Sequence, residues 1–154
     1  MPRILIERSR LGQVFYPVML AILGFVYGGI GTSWITTITT SRVSGIAFMA
    51  PWFTPDVVGI MWLVAALCAF IGAYISYRSQ KAGAVEILLS SVVIAVPLIL
   101  ALVFFFSSFG VILDPSLIPA THAWVTSLSY GGYAGLAAWS YLVRMSAAKV
   151  PIEQ

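Results

Sequence analysis

Apolar residues along this chain are gathered into long runs rather than alternating with polar ones, and the runs set its organisation. The longest, residues 84–106 (AVEILLSSVVIAVPLILALVFFF), holds one charge, Glu86, near its start. About 20 apolar residues cross a bilayer core as a helix. A helix also satisfies the backbone polar groups of a segment that water cannot reach. Three comparable runs predict further spans over about 14–31, 57–77 and 122–143. The expected fold is therefore an all-α integral membrane protein: four transmembrane helices in an antiparallel bundle, one domain over 1–154, with an interfacial segment in the first outer loop.

The breaks between runs carry their own signals. A basic start, MPRILIERSR, reads as an amphipathic turn on the membrane surface leading into the first span. Basic residues before an apolar run also describe a signal peptide. A retained helix is expected instead, since no A-x-A pattern follows and the run exceeds a usual signal core. Pro17 falls in the first turn of that span, where proline is tolerated. Residues 32–55 form the longest connection, and the apolar stretch 45–53 within it is too short to span. Its aromatics favour a position at the bilayer interface, with a re-entrant segment as the alternative. Thr54-Pro55-Asp56 is a helix start, with Thr54 as N-cap. The link RSQKAG is short enough to make the second and third helices neighbours. Pro97 is expected to kink the third span, with Ser90 or Ser91 compensating a freed carbonyl. Asp114-Pro115 reads as a turn before the fourth span.

Charge fixes an expected orientation. With four spans, Arg3, Arg8, Arg10, Arg78, Lys81, Arg144 and Lys149 share one side, and only Arg42 lies on the other. Both termini are then cytoplasmic by the positive-inside rule, N-in/C-in, in the inner (cytoplasmic) membrane of a bacterium and encoded by the cell or a phage. Trp34, Trp52 and Trp124 would anchor the outer interface, and Tyr74, Tyr77, Trp139 and Tyr141 the inner one.

Composition agrees: of 154 residues, 60% are hydrophobic and 8% charged, and the mean hydropathy is +1.00. Soluble domains average roughly 25% charged residues. The net charge of +3 does not imply nucleic acid, because the basic residues sit at the ends of the runs. A lone cysteine, Cys68, excludes an internal disulfide and reads as a small buried hydrophobe.

Small residues recur at steps of three and four, which puts them on single helix faces. These are Ala21, Gly24, Gly28 and Gly31 in the first span, Ala65, Ala69, Gly72 and Ser76 in the second, and Ser127, Gly131, Gly135 and Ala138 in the fourth. Such faces let helix backbones approach closely in lipid, within one chain or between subunits. Glu86 is the one acidic residue near the hydrocarbon. It reads as a carboxylate reaching the surface near Lys81 and Arg78, or as an ion or proton site. His122 reads as a surface or capping residue, Arg42 as a solvated loop charge with an anion or lipid headgroup site as the alternative, and Tyr130 and Tyr133 as cross-helix hydrogen-bonding residues with a ligand role as the alternative.

The chain lacks a mid-membrane carboxylate, an arginine ladder, a lysine inside a span, and paired Cys or His ligands, so no metal, cofactor or nucleic acid is implied. No serine has a histidine in reach, and an enzyme is not expected. What is expected is a small membrane protein acting through helix assembly as a homo-oligomer, with holin-like permeabilisation its concrete form. An accessory subunit bound to partner membrane subunits, or a small transporter using Glu86, are the alternatives.

Overall fold

The computed structural model describes residues 2–37, 39–46, 52–79, 83–113 and 123–148, and all regular structure among them is helical. The described residues form five helices: α1 Pro2–Thr36, α2 Thr40–Ile46, α3 Pro55–Arg78, α4 Ala84–Leu113 and α5 Ala123–Ala148. Among the described residues, three segments are long and apolar enough to cross a membrane: Gln13–Thr36, Pro55–Arg78 and Ala84–Ser108. The fourth expected span falls on α5. Its Ser, Gly and Tyr content leaves it less apolar than the other three, although at 26 residues it is long enough.

Several boundaries differ from the expected ones. The backbone of α1 is continuous from Pro2, with no break between a surface turn and a span. Pro17 is therefore inside a helix, not in its first turn, because the helical segment before it is long enough to carry the chain through. At the other end α1 runs on to Thr36 and takes up residues 32–36 of the first connection, so Trp34 belongs to α1. α2 lies within the same connection and packs on α3 and α4. Of the stretch 45–53, residues 47–51 lie outside the described residues, as do Lys81, Asp114, Pro115, Pro119 and His122. At the start of α3, Pro55 occupies the first turn and Thr54 caps it, its hydroxyl accepting from Val57 N at 3.3 Å.

Each long helix packs chiefly on two others, in the cyclic order α1, α3, α4, α5. The contacts descend α3 as they ascend α1: Leu20 lies beside Gly72, Gly24 beside Phe70, and Gly31 beside Gly59. Buried positions recur at steps of three and four in every long helix. They are Tyr16, Leu20, Leu23, Tyr27 and Trp34 in α1, Val58, Trp62, Ala65, Ala69 and Ser76 in α3, Glu86, Ser90, Val93, Leu100 and Phe104 in α4, and Ser127, Tyr130, Ala134, Ala137, Ser140 and Arg144 in α5. A mean step near 3.5 keeps one seam of each helix turned toward its neighbours along the whole length.

The distribution of polarity is inverted relative to a soluble bundle. Val18, Ile22 and Phe25 of α1, Ile60, Leu67 and Ile71 of α3, Leu88, Ile99 and Phe106 of α4, and Leu128 and Leu142 of α5 all face outward. Inside lie Ser76, Glu86, Ser90, Ser107, Ser127, Ser140 and Arg144. An apolar exterior of this extent is compatible with a membrane, and polar groups turned inward are those that hydrocarbon cannot satisfy.

Candidate functional site

Two clusters fill the bundle interior, and each draws on all four long helices. The first is aromatic. Tyr27 of α1, Trp62 of α3, Phe104 of α4 and Tyr130 and Tyr133 of α5 meet edge to face: Tyr27–Trp62 at 4.9 Å, Trp62–Tyr130 at 4.8 Å and Phe104–Tyr130 at 5.6 Å. Edge-to-face contact is the favourable arrangement of ring quadrupoles. Trp34 caps the cluster, its Nε1 donating to the Tyr130 hydroxyl at 3.1 Å. Over the Trp34 ring, at 5.1 Å, stands the Arg42 guanidinium. Arg42 also donates to the Ser33 and Thr37 carbonyls and the Ser33 hydroxyl, at the C-terminal end of α1. It is a helix-capping cation, complementing the free carbonyls and the negative end of the dipole. The expected solvated loop charge is corrected accordingly.

Trp34 is likewise not an interface anchor: it is buried within the bundle, whereas Trp52, Trp124 and Trp139 are exposed. Aromatic patterning along the chain does not separate the two cases, because an amphipathic ring at a helix end suits either place. Tyr74 and Tyr77 are exposed as expected, with the Arg78 guanidinium over the Tyr74 ring.

The aromatic cluster also accounts for Pro97. A proline inside a helix leaves the carbonyl four residues earlier without its donor, here Val93 C=O. Tyr27 of α1 donates to that oxygen at 3.3 Å, and α4 remains one helix through the proline. Ser90 and Ser91, the expected donors, instead bond the carbonyls of Glu86 and Ile87 one turn back. Tyr27→Phe should therefore destabilise the protein by about 1 kcal/mol by orphaning a buried carbonyl. Denaturant titration of the detergent-solubilised protein would measure it, and an unchanged midpoint would show the carbonyl to be satisfied some other way.

The second cluster is polar and sits at the end of the bundle that carries the 79–83 link. Glu86, in the first turn of α4, is fully buried and takes Arg144 Nε of α5 on Oε1 at 3.2 Å. Arg144 is 1% exposed, and its Nη2 donates to the Ser79 carbonyl at the end of α3 at 2.7 Å. From α1, Tyr16 shares a hydrogen bond with Ser90, which donates to the Glu86 carbonyl at 2.6 Å. The Tyr16 ring meets Tyr141 of α5 at 6.2 Å. One guanidinium thus ties the end of α3 to the start of α4. Glu86 does not reach for the surface: Arg144, one of the charges expected outside the bundle, comes in to meet it, because a carboxylate facing a bundle interior needs a cation there. The pairing spans 58 residues of sequence, and nothing local in the sequence marks it. Two polar atoms in this region remain unpartnered, Glu86 Oε2 and Ser76 Oγ.

The small-residue faces divide. A Cβ on Gly31 would lie 2.8 Å from the Gly59 carbonyl oxygen, and one on Gly59 2.6 Å from Ile35. At these two glycines the α1 and α3 helices lie too close to admit a Cβ without a shift. Gly59 was not among the expected packing residues, because it falls outside the 65–76 series. Gly24, Gly28 and Gly72 line the same interface, facing Phe70, Ala66 and Leu20, and Ala65 and Ala69 are fully buried. On α5 a Cβ on Gly131 or Gly135 would meet nothing within 4 Å. The inward seam of α5 instead follows Ser127, Tyr130, Ala134 and Ala137. Cys68 is half-buried in the wall of α3. No known protein family, curated protein or solved structure matches this chain.

Proposed function

We propose that this chain is a four-span membrane protein, an antiparallel bundle with both termini cytoplasmic in a bacterial inner membrane, that acts by assembling with further transmembrane helices through α5. The inward seam and apolar outer face of α5 support counting it as a span, as does the segregation of basic residues. The observation that carries the functional reading is the open Gly131-x-x-x-Gly135 face. Gly24, Gly28 and Gly31 of α1 and Gly59 and Gly72 of α3 meet neighbours within the chain, whereas a Cβ on either of these two would meet nothing within 4 Å. Small residues presented to lipid at a spacing of four allow a second helix to come close. The aromatic cluster closes the axis of the single chain, so any permeation path would lie between copies. Self-assembly into a holin-like lesion is therefore the form proposed, without enzymatic chemistry.

Induced expression in a bacterium, with membrane potential and uptake of an impermeant dye followed together, tests it. Depolarisation and dye entry are expected, and both should disappear in Gly131→Leu/Gly135→Leu at matched protein level. Steady growth with intact potential would sink permeabilisation. A stoichiometric membrane partner recovered on purification, and lost with the same substitutions, would assign the face to an accessory subunit instead.

A further inference from the structure

We propose that the outer face of α3 binds an anionic phospholipid, its phosphate held by Arg78 over Tyr74 and its acyl chains lying along Ile71 and Leu67. The site is on a different helix from the α5 glycines and does not depend on the assembly proposed for them. Arg42, Arg78 and Arg144 use their donors differently. Arg42 donates to the Ser33 and Thr37 carbonyls and the Ser33 hydroxyl, and Arg144 to Glu86 and the Ser79 carbonyl. Arg78, exposed in the last turn of α3, meets no oxygen among the described residues. Its guanidinium stands over the Tyr74 ring, 5.5 Å from the centroid. That cation–π contact leaves its five N–H donors without an oxygen acceptor.

The direction of the side chain matters as much as its lack of an acceptor. Arg78 is the last residue of the apolar segment Pro55–Arg78. Side chains on a helix lean toward its N-terminus, and Arg78 lies back over the residue one turn before it instead of reaching past the helix end. A cation turned toward hydrocarbon is costly unless an anion meets it. Phosphate suits the position, because the planar fork of a guanidinium matches its oxygens two at a time. Tyr77, also exposed, adds a phenolic hydroxyl near the same level.

The surface leading away from Arg78 fits the rest of a lipid. Ile60, Val64, Leu67, Ile71 and Tyr74 are all exposed, and with Arg78 they follow at alternating steps of four and three, which makes them one stripe along the helix. From Arg78 to Leu67 the stripe is about 16 Å long at 1.5 Å per residue, close to the roughly 15 Å of hydrocarbon in one leaflet. Charge selects the headgroup. The antiparallel contact of α1 with α3 brings the start of α1 to this end of the bundle, where Glu86 and Arg144 pair with each other. On the long helices here, that leaves the four arginines Arg3, Arg8, Arg10 and Arg78 against the single acid Glu7, a surplus of three positive charges. Such a surplus favours an anionic lipid over one whose choline brings a positive charge of its own.

Lipid titrations of the detergent-solubilised full chain, read by native mass spectrometry, test the site with phosphatidylglycerol and phosphatidylcholine of identical acyl chains. Phosphatidylglycerol should bind the more tightly, and free inorganic phosphate at the same concentration should not displace it. Arg78→Gln should weaken phosphatidylglycerol about fivefold, the share of one basic residue near an anionic surface. Tyr74→Leu should weaken it too, since it keeps every charge but removes the ring that seats the guanidinium. Both side chains are exposed, so neither change touches the core. Equal affinity for the two lipids, or unchanged phosphatidylglycerol binding in Arg78→Gln, would overturn the inference. A loss in Arg78→Gln with none in Tyr74→Leu would leave only diffuse surface charge and overturn the seated site. Displacement by inorganic phosphate would make Arg78 a soluble-anion site and overturn the lipid assignment.

Discussion

Arg144→Met should destabilise the protein by about 3–5 kcal/mol, the loss seen when one member of a buried ion pair is removed and the other stays behind. The reason is specific to the surroundings of Glu86. Its side chain is fully buried, Arg144 Nε is its hydrogen-bond donor among the described residues, and Oε2 already lacks a partner. Without Arg144 the buried carboxylate loses the cation that pairs with it. The Ser79 carbonyl also loses the donor that fastens the end of α3. The double replacement Glu86→Leu/Arg144→Met should recover most of the loss, since exchanging a buried pair for apolar side chains of similar volume is often neutral or stabilising. Thermal or denaturant unfolding in one detergent, run as a double-mutant cycle, measures both. If Arg144→Met unfolds at the wild-type midpoint, the pair holds nothing together. If the double variant is as unstable as the single, the loss comes from packing and not from the orphaned charge.

The contrast between what was legible in the sequence and what was not follows the range of the interactions concerned. Residues 84–106 announce α4 because a long apolar run has one low-energy state in lipid. Thr54-Pro55 announces the start of α3 because a cap and its helix are neighbours in sequence. The facing of α5 is not legible in the sequence. Gly131 and Gly135 offer the familiar small-residue spacing, but the inward seam runs through Tyr130 and Ala134, one position to the side. The rings of Tyr130 and Tyr133 decide that rotation, because they fill the bundle centre against Trp62 and Tyr27. Such contacts depend on the other three helices and leave no periodic mark of their own. Glu86 with Arg144, Trp34 with Tyr130 and Tyr27 with the carbonyl freed by Pro97 are of the same kind. Each half is visible in the sequence, but the pairing exists only once the helices are assembled.

Glycine-to-alanine substitutions should separate the two uses of the small-residue motif by sign. Gly31→Ala should destabilise by about 1–3 kcal/mol, the usual loss when a well-packed core is forced to accept extra volume. The new methyl would lie 2.8 Å from the Gly59 carbonyl oxygen, a backbone atom, and 2.9 Å from Leu63. Neither helix can relieve that contact without the α1–α3 interface separating. Gly24→Ala should be milder, although its nearest atom is almost as close at 2.9 Å, because that atom belongs to the Phe70 ring. Phe70 lies at the outer face and 37% exposed, so the ring can swing away. Gly131→Ala meets nothing within 4 Å. Within one chain it should be neutral or stabilise by up to about 1 kcal/mol, since alanine holds a helix better than glycine does. Unfolding under conditions that keep the protein monomeric gives the expected order: Gly31→Ala least stable, then Gly24→Ala, then wild type, with Gly131→Ala at or above it. A destabilised Gly131→Ala under those conditions would mean that α5 turns this face into its own bundle, and the assembly surface proposed for it would be gone. If Gly131→Ala is harmless to the monomer yet weakens association in the membrane, the same glycine is needed by a neighbour that the single chain does not contain.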